Sequence, residues 1–167
     1  MAKRAPPPTF SPYENTAANF IYNLMFCDRI ESFRARKGEP ADWERILFTE
    51  PPDVPGLRNL AGDASEEGRI RYLAFTRLRE AGVPVTPKIL LGVIVEGALS
   101  DGLDTLAAYS DGGVRYINHS GKMVVVEGVD EFRALVHRLF EAAEPVVARI
   151  GPWDQPRRPP PGRGGTR

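Results

Sequence analysis

The segment from Lys88 to Glu127 contains four runs of strand-forming residues, separated by three short turn sequences. The turns are Ser100-Asp101-Gly102, Ser110-Asp111-Gly112-Gly113 and His119-Ser120-Gly121. Asp-Gly and Ser-Gly pairs supply the positive φ angles that tight hairpin turns require. Because connections this short join antiparallel neighbours, the segment predicts a four-stranded antiparallel meander.

Helical periodicity on both sides of the meander predicts an α+β fold. N-terminal helices are expected from Asn15 or Thr16 to Gly38, over Asp42–Phe48, and after the acidic start at Ser65. The strongest amphipathic pattern follows the meander and predicts a C-terminal helix, capped by Asp130, that covers the sheet. Its apolar positions are Phe132, Leu135, Val136, Leu139, Phe140 and Ala143.

Composition divides the chain into three parts. Residues 1–14 form a proline-rich arm, residues 15–150 a single α+β domain, and residues 151–167 a tail rich in proline, glycine and arginine. A chain of 167 residues fits one domain, and a hydrophobic content of 42% allows a single core.

The formal net charge is zero, but both ends are basic. Residues 151–167 hold four arginines against one aspartate, and residues 1–14 hold two basic residues against Glu14, so the body between them is mildly acidic. Basic tails either maintain solubility or dock on an acidic protein surface or on nucleic acid phosphates.

Three features of the sequence bear on the cellular compartment of the protein. The N-terminus lacks the apolar run of a secretory signal, and no apolar run approaches the length of a membrane span. Cys27 is the only cysteine, which is typical of a reducing compartment. These signals predict a cytoplasmic protein with no membrane association.

The sequence contains no cluster typical of catalytic, cofactor or metal sites, and we therefore expect a protein that is not an enzyme. His119 and His137 are the two histidines, and neither has ligand spacing with Cys27. We expect His119 to share one end of the sheet with Asp101. Glu96 interrupts an apolar strand, either because the strand becomes exposed there or because Glu96 faces Arg115 or Lys122 across the sheet.

Five residues are candidates for contact with a partner. Tyr109 and Tyr116 lie on neighbouring strands and could present an aromatic sheet face. Trp153, Arg157 and Arg158 lie in the tail, where prolines hold an extended shape and arginine offers bidentate contacts. The tail is equally compatible with a disordered end.

The run from Leu91 to Glu127 resembles part of a group of uncharacterised bacterial proteins. The motifs Gly151-Pro152-Trp153-Asp154 and Pro156-Arg157-Arg158-Pro159 share the resemblance, which extends over most of the chain from Tyr22. It implies a bacterial origin and carries no activity or functional residue.

These observations favour a non-catalytic protein-interaction or assembly component of a bacterial cytoplasmic complex, an adaptor that holds a protein partner. The alternatives are a weak nucleic-acid-binding protein that uses its basic tails and a small-ligand-binding domain. Homo-oligomerisation is compatible with the sequence. Partner identity, oligomeric state, the presence of a pocket and whether Arg167 is the native C-terminus are not determined by it.

Overall fold

A computed structural model describes residues 7–34, 38–85, 89–151 and 155–162. The α+β class is confirmed, with helices before a four-stranded antiparallel sheet and one helix after it. The helices are α1 (Thr16–Met25), α2 (Asp42–Phe48), α3 (Val54–Gly62), α4 (Gly68–Glu80) and α5 (Asp130–Ile150). The strands are β1 (Gly92–Ala98), β2 (Leu103–Tyr109), β3 (Val114–Ile117) and β4 (Met123–Val126).

The sheet is a meander in the order β1-β2-β3-β4, so β1 and β4 are its edge strands. Glu96 pairs with Thr105, Thr105 with Ile117, and Ile117 with Met123. Because side chains alternate along a strand, this register assigns every residue to one of two faces. Thr105 and Ile117 therefore share a face, which we call the α1 face.

The α1 face forms one of two hydrophobic cores. Tyr22 and Met25 of α1 pack there against Leu103, Ala107 and other apolar side chains of the sheet. Asn15 caps α1 by accepting hydrogen bonds from the next backbone amides, at 2.8 Å from the Ala17 amide. The cap fixes where α1 begins and directs its apolar stripe onto the sheet.

The second core joins α2, α3 and α4 through Leu47, Leu57 and Leu73. It meets the sheet at Gly68, whose amide donates to Asp111 Oδ1 at 3.0 Å. A Cβ at this glycine would lie 2.9 Å from the carbonyl oxygen of Leu91, so the close approach of α4 to the sheet requires glycine.

α5 lies on the other side of the sheet and buries little of its surface. It contacts β1, and Val136 and Ala108 are buried outside both cores, which places the helix on the face opposite α1. Val136 is the buried residue of α5, whereas Phe132 and Leu135 are exposed. The helix that covers the main core face of the sheet is α1, and α5 covers the opposite face in part.

Three sequence expectations about helix ends need correction. α1 ends at Met25 instead of continuing to Gly38, because Cys27 adopts the left-handed conformation with φ 52° and breaks the helix. α4 begins at Gly68, three residues after Ser65. Asp130 is the first residue of α5, and Val129 occupies its N-cap position.

Candidate functional site

The two tyrosines predicted to form one aromatic face lie on opposite faces of the sheet. Tyr116 pairs with Leu106, whereas Tyr109 has the parity of Ala107 and so belongs to the α1 face. The predicted Tyr109/Tyr116 surface therefore does not exist as a single patch.

Tyr109 is buried and serves the core. Its hydroxyl donates to the backbone oxygen of Met25 at 2.9 Å, and the guanidinium groups of Arg69 and Arg115 lie 5.5 and 5.9 Å from its ring centre. Burial raises the pKa of the Tyr109 phenol. These contacts occupy the side chain inside the molecule and leave none of its faces for a partner.

Tyr116 is half-buried on the second face, where its hydroxyl donates to Asp104 Oδ2 at 2.7 Å. This hydrogen bond, followed by desolvation, raises the pKa of the Tyr116 phenol. Asp104 also accepts from the His119 amide at 2.8 Å, so Tyr116 is held at the end of the sheet that carries His119.

The three residues of the tail that were predicted to contact a partner differ in where the structure places them. Trp153 lies outside the described residues. Arg158 lies at the surface, whereas only 9% of the Arg157 side chain is exposed. Arg157 is turned into the body of the same chain, so the guanidinium predicted to contact a partner is engaged internally.

Arg157 enters a pocket that we call the arginine cage, formed by Phe10, Tyr22, Asn23, Phe26 and Asp28. Its guanidinium carbon lies 4.0 Å from the ring centre of Phe26, 5.0 Å from that of Phe10 and 5.4 Å from that of Tyr22. Such distances are typical of cation–π contacts. The cage thus surrounds a planar cation with three aromatic rings.

Polar atoms of the cage contact the guanidinium nitrogens. Arg157 Nη2 donates to Asn23 Oδ1 at 2.6 Å and to the backbone oxygen of Pro8 at 3.1 Å. Nε lies 3.2 Å from Asp28 Oδ2. Burial raises the pKa of the Asp28 carboxyl, while the charge of Arg157 opposes that shift.

A second buried polar group lies on the α1 face. Glu96 is 1% exposed and accepts a hydrogen bond of 2.6 Å from the Tyr22 hydroxyl. The interpretation of an exposed strand is therefore wrong. The hydrogen-bond donor Tyr22 comes from α1, whereas the sequence indicated Arg115 or Lys122 across the sheet. The donor lies 74 residues away in the chain, beyond the reach of strand-pairing rules.

Candidate chemical groups are dispersed. His119 lies 3.5 Å from Asp101, which confirms that they share one end of the sheet. Arg115 pairs with Glu67 and Glu127. Within the described ranges, no group of three or more His, Cys, Asp or Glu residues is placed to hold a metal ion. Burial raises the pKa of the Cys27 thiol to about 12.

The β4 edge carries an exposed apolar surface. Val124 and Val125 are each 55% exposed, although valine in a sheet is normally half-buried or better. We call this surface, together with the first part of α5, the β4 edge patch. Its members are Met123, Val124, Val125, Val129, Phe132 and Leu135, all exposed.

A separate exposed group lies at the other end of α5. Val146, Val147 and Ile150 form the α5 end patch, in which Ile150 is 74% exposed. Their spacing continues the apolar stripe of Val136 past Pro145, which the helix accommodates without ending. α5 is thus an amphipathic helix whose apolar stripe is only partly covered.

Sequence reasoning missed the arginine cage and the exposed patches for different reasons. The only sequence signal for the cage is the spacing of Tyr22 and Phe26 by four residues, and Phe10 and Arg157 join them only through tertiary structure. The β4 part of the β4 edge patch is an apolar run in the sequence, but its exposure depends on which strand is last in the sheet.

The chain matches no family model, no curated protein and no solved structure. The resemblance to a bacterial group therefore stays a prediction. In the part of the chain that the structure describes, no helix combines the length and apolar character needed to cross a membrane.

Proposed function

We propose that this protein is a non-catalytic assembly component that associates with a protein partner by adding a strand to β4. The observation that carries the proposal is the exposure of Val124 and Val125 on an edge strand. An edge strand presents unpaired backbone donors and acceptors, and natural proteins normally protect such an edge with charges, proline or a covering element. β4 is apolar throughout, from Met123 to Val126.

The two edge strands differ in their neighbours. β1 contacts α5 as well as β2, whereas the main contact of β4 among the described elements is with its sheet neighbour β3. An edge strand that no other element covers is open to strand addition.

A second copy of this chain is the partner that fits β4 best. A twofold axis perpendicular to the sheet would pair β4 with its own copy in antiparallel orientation and continue the sheet across the joint. Val124 and Val126 lie on one face and Met123 and Val125 on the other. Registers centred on Val124 or Val125 therefore pair apolar side chains with apolar side chains. The same axis would bring the starts of both α5 helices to one side of the joint.

The size of the β4 edge patch sets the expected affinity. Standard interfaces involve about 20–30 residues on each side, and the patch has fewer large apolar side chains than that. We therefore expect a reversible dimer with a dissociation constant in the micromolar range, about 1–100 µM.

Sedimentation velocity over a range of protein concentrations tests this association. The wild-type chain should shift from monomer to dimer as its concentration rises, and Val124→Lys should remove the shift, because a charge at the joint blocks edge pairing. Ile150→Lys is the matched control: it adds the same charge at an exposed apolar position outside the patch and should leave the dimer intact.

Two results would refute the proposal. One is a wild-type chain that stays monomeric throughout that concentration range. The other is a dimer that Ile150→Lys abolishes and Val124→Lys does not, since that result would assign the interface to the α5 end patch.

Nucleic-acid binding through the basic tail is a weaker proposal. The Arg157 guanidinium is buried in the arginine cage, which removes it from the charge that phosphate contacts would use. The sequence leaves three other arginines in the tail, Arg158, Arg163 and Arg167, and three charges supply only part of such binding.

A further inference from the structure

We infer that the arginine cage is a recognition site for arginine in a proline-flanked, extended peptide, and that residues 155–162 occupy it as a ligand attached to its own receptor. The site differs from the β4 edge patch in location and chemistry. The inference does not depend on the proposed assembly through β4.

The chemistry of the cage selects a guanidinium group. Three aromatic rings lie around a flat cation, and Asn23 and the Pro8 carbonyl accept hydrogen bonds from its Nη2. The carboxylate of Asp28 forms an ion pair with Nε without a hydrogen bond. A lysine ammonium is not planar and cannot stack on a ring while it donates sideways in this way. The carboxyl of Asp28 adds a preference for a positive charge.

Contacts outside the tail hold two residues of the cage. Asn23 is held in place because its Oδ1 accepts from the Phe10 amide at 3.1 Å and its Nδ2 donates to the Phe10 carbonyl at 2.8 Å. Tyr22 is fixed by its hydrogen bond to Glu96 and by an edge-on contact with the Phe26 ring, with 5.2 Å between ring centres. A site whose walls are fixed in advance loses little entropy when it binds a ligand.

The docked segment has the character of a ligand. Arg157 is turned inward, while Pro156, Arg158 and Pro159 on either side of it are exposed. Prolines keep the segment extended before it binds, which lowers the entropy cost of docking. The guanidinium of Arg157 is therefore the anchor of this segment in the cage.

Attachment to the same chain makes the tail a strong competitor. A short linker gives an attached ligand an effective concentration in the millimolar range. A free peptide of the same kind should therefore bind poorly to the wild-type chain and well to a chain whose own anchor is removed.

Isothermal titration with a synthetic peptide of residues 155–162 tests the site. The full chain carrying Arg157→Ala should bind this peptide at least about tenfold more tightly than the wild-type chain, because its cage is empty. Arg158→Ala is the matched control: it removes a neighbouring arginine, leaves the cage occupied and should behave as the wild-type chain does.

Variants of the peptide test the selectivity. Citrulline in place of the arginine that corresponds to Arg157 has nearly the same shape without the charge, and it should weaken binding by at least about tenfold. Equal binding of the peptide to the wild-type and Arg157→Ala chains would overturn the inference. Equal binding of the arginine and citrulline peptides would overturn it as well.

A measurement on the wild-type chain covers the case in which Arg157→Ala does not fold. The chemical shift of the Arg157 Nε–H group should differ from that of an exposed arginine. When peptide at several millimolar displaces the tail, this chemical shift should move to the value of an exposed arginine. A signal at the exposed position before any peptide is added would show an empty cage and overturn the inference.

Discussion

The core beneath α1 and the surface at β4 and α5 differ in burial. In the core, Tyr22 and Ile117 are fully buried, and Glu96 has a hydrogen-bond donor from another element. At β4 and along α5, valines and leucines remain exposed although they continue regular apolar patterns, and Val125 is exposed on the same face of the sheet as Ile117. The difference teaches that the core beneath α1 supplies the stability of the fold, while β4 and α5 retain apolar surface that a partner could bury.

The largest expected effect comes from creating a cavity on the α1 face. Ile117→Ala should lower the free energy of unfolding by about 2–5 kcal/mol, because its neighbours can fill the space only in part. Val124→Ala on the neighbouring strand should cost less than about 1 kcal/mol. Urea denaturation of both variants at low protein concentration measures the contrast, and equal losses would show that β4 is buried in solution.

The buried hydrogen bond of Glu96 gives the next effect. Tyr22→Phe keeps the aromatic ring but removes the hydroxyl that donates to Glu96, so we expect a loss of about 1–3 kcal/mol. Tyr116→Phe removes a hydroxyl of the half-buried pair with Asp104 and should change stability by about 0.5 kcal/mol or less. If the two variants unfolded alike, the Glu96 contact would contribute no more than a surface contact.

Much of the fold was predictable because its signals are local. The turn glycines fix a meander, and α2 has the bounds that its flanking residues predict. The errors occur where distant contacts decide. The left-handed conformation of Cys27 ends α1 early, and no residue near Cys27 in the sequence signals it, since cysteine has no preference for positive φ.

The candidate sites were less predictable, because each depends on segments far apart in the chain. The sequence indicates that Arg157 suits bidentate contacts, but its acceptors lie in the arm and in α1. Residue type and adjacent strands predict that Tyr109 and Tyr116 form one surface. Only the register of β2 with β3 shows that they point to opposite faces.

Alkaline pH should destabilise the fold in part through Tyr13, a buried residue of the core beneath α1. Burial raises the pKa of Tyr13 from 10.0 to about 12, so the unfolded chain loses this proton at a lower pH than the folded chain. The free energy of unfolding should therefore fall as the pH rises from about 10 to 12. Tyr13→Phe removes the phenol. The free energy of unfolding of this variant should therefore fall less between about pH 10 and 12 than that of the wild-type chain. Parallel curves would show that Tyr13 ionises equally in both states.

The smallest change in stability is expected at the exposed end of α5. Because a buried and an exposed residue of the same helix can be compared there, it tests the contrast in burial most directly. Ile150 and Val136 belong to one apolar stripe of one helix, but Ile150 is 74% exposed and Val136 is buried. Val136→Ala should cost about 2 kcal/mol, whereas Ile150→Ala should stay within about 0.5 kcal/mol, because water already surrounds the side chain and alanine favours helix.

Chemical denaturation at several protein concentrations compares the two variants. A cost near 2 kcal/mol for Ile150→Ala that grows with protein concentration would mean that the α5 end patch is covered by another copy. A large cost that is independent of concentration would mean that this end of α5 packs against its own chain. In both cases the apolar side chains at this end of α5 would be buried in solution. The contrast between buried and exposed apolar surface would then apply to the β4 edge only.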